Sequence, residues 1–409
     1  MRRVISLSGC LGLVVLAACP VVAGAPARNL FRELLGVTEA QTTARIEAVW
    51  DQFTRGDKEN ERLYYEAADD TAYIADVGSG DVRSEGMSYG MMIAVQLDHQ
   101  DQFDRLWKWA RTHMRQADGP RRGYFAWHCT FDGRPIDPGS ASDGEEWFAM
   151  ALWFAAHRWG QAGTDYQAAA QELLREMRLK PATHVVTPIF DAERRQVVFA
   201  PTPEASHFTD PSYHLPHFYS LWARWDRDRD GRAFWAACAA ESRAFFRRAA
   251  HPVTGLMPEY AHFDGRPFAD DRFGDGKDEF GFDAVRTLAH VALDHAWGSR
   301  DRWQVEQADR VLRFLGSQGD RLVNRYALDG RPLGQSSSPC LVAMAAAAGV
   351  AASDPELARP FVRRLWLAPT PTGKWRYYDG LLTLFGLLQA SGRYQVIDAP
   401  AAAHPPSKR

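Results

Sequence analysis

The chain has 409 residues, of which 46% are hydrophobic, 24% charged and 12% aromatic, with Gly and Pro in no periodic arrangement. That balance excludes a disordered, collagenous or coiled-coil chain, and a net charge of −3 leaves no global basic field for gripping nucleic-acid phosphates. Fourteen Trp is a high count, and because indole faces stack on the apolar faces of sugar rings, composition points first to carbohydrate.

In chain order, residues 1–25 read as an export signal. Arg2 and Arg3 precede an apolar run from Leu11 to Ala18, and Ala23-Gly24-Ala25 offers small residues for cleavage. Leu16-Ala17-Ala18-Cys19 also fits a lipoprotein box, which would make a lipid on Cys19 the one membrane attachment. The expected location is therefore periplasmic or secreted. Residues 26–398 read as one domain acting as a monomer, and 399–409 as a flexible tail. Cys129, Cys238 and Cys340 show no paired spacing, so lone buried thiols are expected rather than a disulfide framework.

Helical periodicity dominates the rest. Six segments apolar on every side begin near Gly86, Asp143, Ser212, Glu279, Ser336 and Arg376. They alternate with six amphipathic ones that begin near Thr38, Gln100, Thr164, Asp230, Asp301 and Asp354. A helix apolar all round is buried, and a one-faced helix lies outside it. The alternation predicts an all-α (α/α)6 barrel, six inner helices wrapped by six outer ones. Three near copies, Phe131-Asp132-Gly133-Arg134-Pro135, Phe263-Asp264-Gly265-Arg266-Pro267 and Leu328-Asp329-Gly330-Arg331-Pro332, each fall between an outer helix and the next inner one. Asp-Gly signals a tight turn, so short β-hairpin loops should decorate one end, with a further hairpin over Val185–Ala200.

If the helices alternate up and down, all inner N-termini meet at that end. Glu85, Asp143, Tyr213 and Asp283 would then converge on one mouth. Each also has a plain structural reading: Asp143 as an N-cap, Glu85 as an answer to the helix dipole, Asp283 as a partner of Arg286, Tyr213 as core. Together they supply what glycoside hydrolysis needs, one protonated and one ionised carboxyl flanking the scissile bond. Glu85 lies among Met87, Tyr89, Met91 and Met92, and apolar surroundings suit the acid. Asp283, with Arg286 close by, suits the base. Trp127, Tyr124, Trp147 and Tyr378 are candidate stacking platforms, and Arg286 and His262 candidate partners for sugar hydroxyls. His207, His214 and His217 lack the acidic partner of a metal-binding helix, so neither metal nor cofactor is expected.

At these residues the chain resembles glycoside hydrolase family 8. Ala141-Ser142-Asp143-Gly144, then Ala149, Ala151-Leu152, Ala155 and Trp159 match its signature, with Glu145 where Asp is usual and Phe148 where Ile or Met is usual. The segment Ser84 to Met92 resembles the family's general-acid segment, and Asp210-Pro211-Ser212-Tyr213 the one whose Tyr lies near the nucleophilic water. The resemblance implies an inverting mechanism without metal. Glu85 would be the acid and Asp283 the base, roughly 6.5–9.5 Å apart. Asp143 would bind the distorted sugar and Tyr213 the water. Gly123-Tyr124-Phe125-Ala126-Trp127 looks like the xylan branch, which acts on xylo-oligosaccharides or xylan and includes enzymes that release xylose from the reducing end. Those exo-enzymes carry a Leu-His-Pro loop beyond the first sugar on that side. Here Gly334 to Cys340 occupies the place without a His, which implies a more open cleft. The expected activity is inverting cleavage of β-1,4-xylosidic bonds in xylo-oligosaccharides with release of xylose from the reducing end, and an endo-xylanase, a β-1,4-glucanase of the same family and a non-catalytic sugar-binding toroid are the alternatives.

Overall fold

The computed structural model describes residues 27–160 and 164–399. The expected export signal, Cys19 and all but the first residue of the expected tail lie outside them. After a short helix α1 (Leu30–Leu35), the outer helices are α2 (Glu39–Arg55), α4 (Gln100–Trp109), α6 (Tyr166–Leu179), α8 (Arg229–Ala249), α10 (Arg302–Gln318) and α12 (Arg359–Leu367). They alternate with the inner helices α3 (Ser84–Leu97), α5 (Ser142–Trp159), α7 (Pro216–Trp225), α9 (Arg286–Asp294), α11 (Pro339–Ala348) and α13 (Arg376–Ala390). Each inner helix packs on its outer partner, and α13 returns to pack on α3, closing the ring. The (α/α)6 architecture is thus present.

The two sets differ as their sequences require. Every residue of α5 from Ser142 to Ala155 is buried, whereas α4 buries Phe103, Leu106, Trp107 and Trp109 and leaves its charged side outside. Polar caps fix the outer starts: Thr38 and Gln41 form a capping box on α2, and Asp301 caps α10. Cys129, Cys238 and Cys340 are free and buried. Among the described residues no helix is long and apolar enough to cross a membrane.

Three inner helices begin later than the sequence suggests. Phe280 pairs with Tyr326 in an antiparallel bridge, which holds the chain extended past Glu279 and delays α9 to Arg286. Pro211 opens a separate 3-10 turn, Pro211–Tyr213. Leu215, barred from helical geometry by the proline after it, ends that segment before α7 starts at Pro216. Helix α11 starts at Pro339 rather than near Ser336. On the outside, Asp354 caps a 3-10 turn, Pro355–Ala358, and α12 follows.

The Asp-Gly loops are hairpins. β4 (His128–Cys129) pairs with β5 (Pro135–Asp137), and Ala261 and Tyr326 bridge to Pro267 and Pro332 in the other two copies. Gly133, Gly265 and Gly330 all take positive φ, which the turns require. β6 (Phe190–Asp191) and β7 (Gln196–Val197) form the fourth hairpin. Unforeseen is a meander before α3: β1 (Tyr64–Ala67), β2 (Thr71–Asp76) and β3 (Asp81–Arg83) join β4 and β5 in a five-stranded antiparallel sheet. β3 runs straight into Ser84 and so sets where Glu85 points.

Candidate active site

Glu85 is the second residue of α3 and Asp143 the second of α5. Asp143 is not an N-cap, because that position is Ala141 and has no side-chain bond. Gly144 brings the two helices close: a Cβ there would lie 2.5 Å from Ser84 Oγ. Tyr213 ends the 3-10 turn before α7, and Asp283 lies in the turn 282–285 that leads into α9. The inner N-termini therefore do bring these four residues together, across four helices.

What gathers them is Arg286, the first residue of α9, only 2% exposed. Its Nη1 donates to Glu85 Oε2 at 2.9 Å, to Asp143 Oδ2 at 3.3 Å and to the Tyr89 hydroxyl at 2.9 Å. Its Nη2 lies 3.4 Å from Asp283 Oδ1 and 3.8 Å from Asp210 Oδ2. The guanidinium carbon also lies 5.5 Å from the ring centre of Tyr213. One planar fork thus spans Glu85 and Asp283. Their nearest oxygens lie at most about 9 Å apart, short enough to flank one glycosidic bond.

Four carboxyl groups around one cation cannot all ionise cheaply. Burial pushes the Glu85 carboxyl up to about 7, opposed by Arg286 and reinforced by Asp143 and Asp283, while the Tyr377 hydroxyl, 3.1 Å from Oε1, pulls it down. Burial also raises Asp143, and it raises Asp210 well above the usual carboxylate range. Asp283 is placed differently. Its side chain is 30% exposed, against 19% for Glu85, and Lys277 Nζ lies 3.7 Å from Oδ2. Lys277 pairs in turn with Glu259. The cluster thus holds one carboxyl ready to give a proton near neutrality and another, wetter one flanked by two cations.

A cavity of about 630 Å³ opens beside the cluster, with Glu85, Asp283, Arg83, Tyr378, Trp375 and Ser336–Pro339 on its walls. Trp375 is 69% exposed and Phe282 45% exposed, apolar faces kept in water at the rim.

The family model for glycosyl hydrolases family 8 matches residues 69–392. The chain belongs to this family. It is 45% identical over 372 residues to the reducing-end xylose-releasing exo-oligoxylanase Rex8A of Paenibacillus barcinonensis, covering 90% of this chain and 96% of the relative. The solved structure of Rex8A complexed with xylose superposes with a TM-score of 0.86 at 44% identity, covering 91% of this chain and 98% of that one. A catalytic-mutant xylanase of the family from Teredinibacter turnerae, in complex with xylohexaose, gives a TM-score of 0.87 at 41% identity, covering 91% and 98%.

In this family 8 glycoside hydrolase several residues picked out in the sequence have other surroundings than expected. Tyr124 is fully buried, its hydroxyl within reach of the Glu176 and Thr187 carbonyls and its ring under Lys180, so it is packing and no sugar platform. Trp147 is wedged among Tyr89, Phe218 and Phe385 inside the ring of helices. Arg286 is 2% exposed, gives Nη1 to Glu85, Asp143 and Tyr89 and Nε to the Asp283 carbonyl, and is placed as a buried counterion of the carboxylates rather than as a surface partner for sugar hydroxyls. His262 sits edge-on to Phe268 in its hairpin, away from the cavity walls. Trp127 stays half-buried under the Arg83 guanidinium, 5.7 Å away, and its carbonyl receives the Ser84 amide at the start of α3. Tyr378 does line the cavity and donates to the Phe282 carbonyl. The three histidines part company, His207 lying edge-on to Phe208 and Phe268. His214 stacks on Phe245 between Ser242 and Thr209, and His217 packs against His290 and Trp297. Burial holds both imidazoles below their usual range, His214 at about 3.

Sequence reasoning missed Trp375, Tyr377 and the depth of Asp210. Trp375 carried the same signal that selected Trp127, an aromatic in the interval before an inner helix. Tyr377 and Asp210 become visible only once side-chain direction is known.

Proposed function

We propose that the chain hydrolyses β-1,4-xylosidic bonds in xylo-oligosaccharides by inversion, releasing xylose from the reducing end. The observation that carries this reading is the single buried guanidinium holding Glu85 and Asp283 on the wall of a sugar-sized cavity. The names and ligands of the relatives support the choice of xylose. In this reading the Glu85 carboxyl gives its proton to the leaving glycosidic oxygen as the C1–O bond breaks. Asp283 takes a proton from the water that attacks C1 from the opposite face. Asp143 accepts from hydroxyls of the distorted sugar before the cleavage point, and the Tyr213 hydroxyl holds the water. Glu85 ends ionised and Asp283 protonated, and exchange with solvent resets both. Trp375 and Tyr378 offer the leaving-side sugars an aromatic surface.

A second reading, endo cleavage, is favoured by one feature. The cavity wall at Ser336–Ser338 is built of small side chains, and a further hollow of about 440 Å³ adjoins the same segment. Product analysis after incubation with xylotriose, xylohexaose, cellohexaose and chitosan separates the cases. Early xylose supports the exo reading, mixed xylo-oligomers the endo one, and products from glucan alone reject xylan. We also propose that the chain is exported through its first 25 residues and works as a monomer. Mass determination of the mature protein checks both the cleavage and any lipid on Cys19.

A further inference from the structure

Tyr219 on α7 is completely buried, with its hydroxyl against two oxygen acceptors at once. One is Oε1 of Glu146 on α5, and the other is the main-chain carbonyl of Tyr213, 3.1 Å away. A phenol has one proton to give. Were Glu146 a carboxylate, two acceptors would compete for that proton, and the loser would face the lone pairs of Tyr219 where no water reaches. A carboxylic acid at Glu146 removes the conflict: Glu146 donates to the Tyr219 oxygen, and Tyr219 donates to the Tyr213 carbonyl. We infer that Glu146 is a permanently protonated positioning residue that acts through Tyr219 to fix the main chain of Tyr213.

Other observations agree. Glu146 Oε2 is buried with no hydrogen-bond partner among the described residues. Such a stranded oxygen is tolerable on a neutral acid and costly on an anion. The groups facing Glu146 are Asp143 and Glu145 on its own helix, Tyr219 on α7 and Cys238 on α8, none of them a cation. Burial, with the Asp143 and Glu145 charges, pushes the carboxyl well above its usual range against the pull of the Tyr219 hydroxyl. The Tyr213 ring itself is flanked by Arg286 and by a parallel Phe199 ring at 5.9 Å. On the main chain its amide donates to the Asp210 carbonyl at 3.0 Å, and Tyr219 ties down its carbonyl. The effect on turnover rests on the role proposed for Tyr213, but the proton on Glu146 does not.

The test compares Glu146→Gln, Glu146→Ala and Tyr219→Phe in the full chain, each checked for folding by circular dichroism. Gln keeps both a donor and the shape, so kcat stays within about twofold. Glu146→Ala and Tyr219→Phe lower kcat about tenfold with KM nearly unchanged, as expected when a reacting group drifts but binding is kept. An infrared difference spectrum, wild type minus Glu146→Gln at pH 8, shows the carbonyl band of a protonated carboxylic acid. Equal losses in Glu146→Gln and Glu146→Ala, or a difference spectrum carrying only carboxylate bands, overturn the inference. Full turnover in Tyr213→Phe overturns the role of Tyr213 and the catalytic use of this bond, while the infrared band still decides the proton. If an Ala or Phe variant does not fold, the Gln variant and the spectrum suffice.

Discussion

Helix α9 carries a buried ion-pair site at each end, and the two are built oppositely. At its last residue Asp294, 1% exposed, accepts two 2.7 Å bonds from Arg243 and a third from Gln304. One anion meets one cation in a bidentate fork. At its first residue Arg286 faces Glu85, Asp143, Asp210 and Asp283 with a single positive charge. A matched pair has no reason to change protonation, whereas an overloaded cation leaves some carboxyl holding a proton near neutrality. The contrast separates a structural bond from a chemical site on one helix.

Replacing the acid or the base should have the largest effect. Glu85→Ala and Asp283→Asn should each lower kcat by about 10²–10⁴-fold while the protein stays folded, the span a positioned acid or base contributes. Near-normal turnover in either variant rejects its role. Arg286→Lys comes next. It keeps the charge but loses the fork that spans both sides of the site, and a fall of about 100-fold in kcat/KM is expected. A loss under twofold would show that the fork is not what sets the geometry.

The pH profile sharpens the comparison further. The acid must carry its proton, so with the Glu85 carboxyl raised to about 7, kcat/KM should fall about tenfold per unit as pH rises past 7. The Asp143 charge is one cause of that raised value, so Asp143→Asn, though slow, should move its alkaline limb to lower pH. An unmoved limb would detach Glu85 from Asp143. The smallest effect on turnover belongs to the other end of α9. Arg243→Met strands the buried Asp294 and should cost about 3–5 kcal/mol of stability, read as a lower denaturant midpoint. Its kcat at low temperature should stay within about twofold. A large drop in kcat without a drop in stability would erase the distinction between the two ends.

Much of this arrangement could be read from the residues, and the exceptions have physical causes. Alternating all-round and one-faced helices gave the ring, because burial dictates composition over long segments. Glu85, Asp143, Tyr213 and Asp283 could be grouped since helix direction alone brings inner N-termini together. Strands β1 and β3 are too short for a pattern to show, and β2, of ordinary length, is buried on both faces and so lacks the alternation that marks a strand. Asp69 and Asp70 join β1 and β2 in left-handed geometry without a glycine to mark the turn. Tyr124 and Trp147 read as platforms in the sequence because an aromatic near a helix mouth can face either the cavity or the core, and sequence does not say which. The part played by Arg286 is hidden in the sequence for the same reason. Its position next to Asp283 was plain, but the reach to Glu85 depends on tertiary packing.

The most direct measurement is proton NMR of xylotriose hydrolysis in the first minutes, before the product sugars mutarotate. Attack by water opposite the departing oxygen predicts that the newly formed reducing end appears first as the α-anomer. A β-anomer appearing first would mean two displacements through a covalent intermediate and would contradict the paired roles of Glu85 and Asp283.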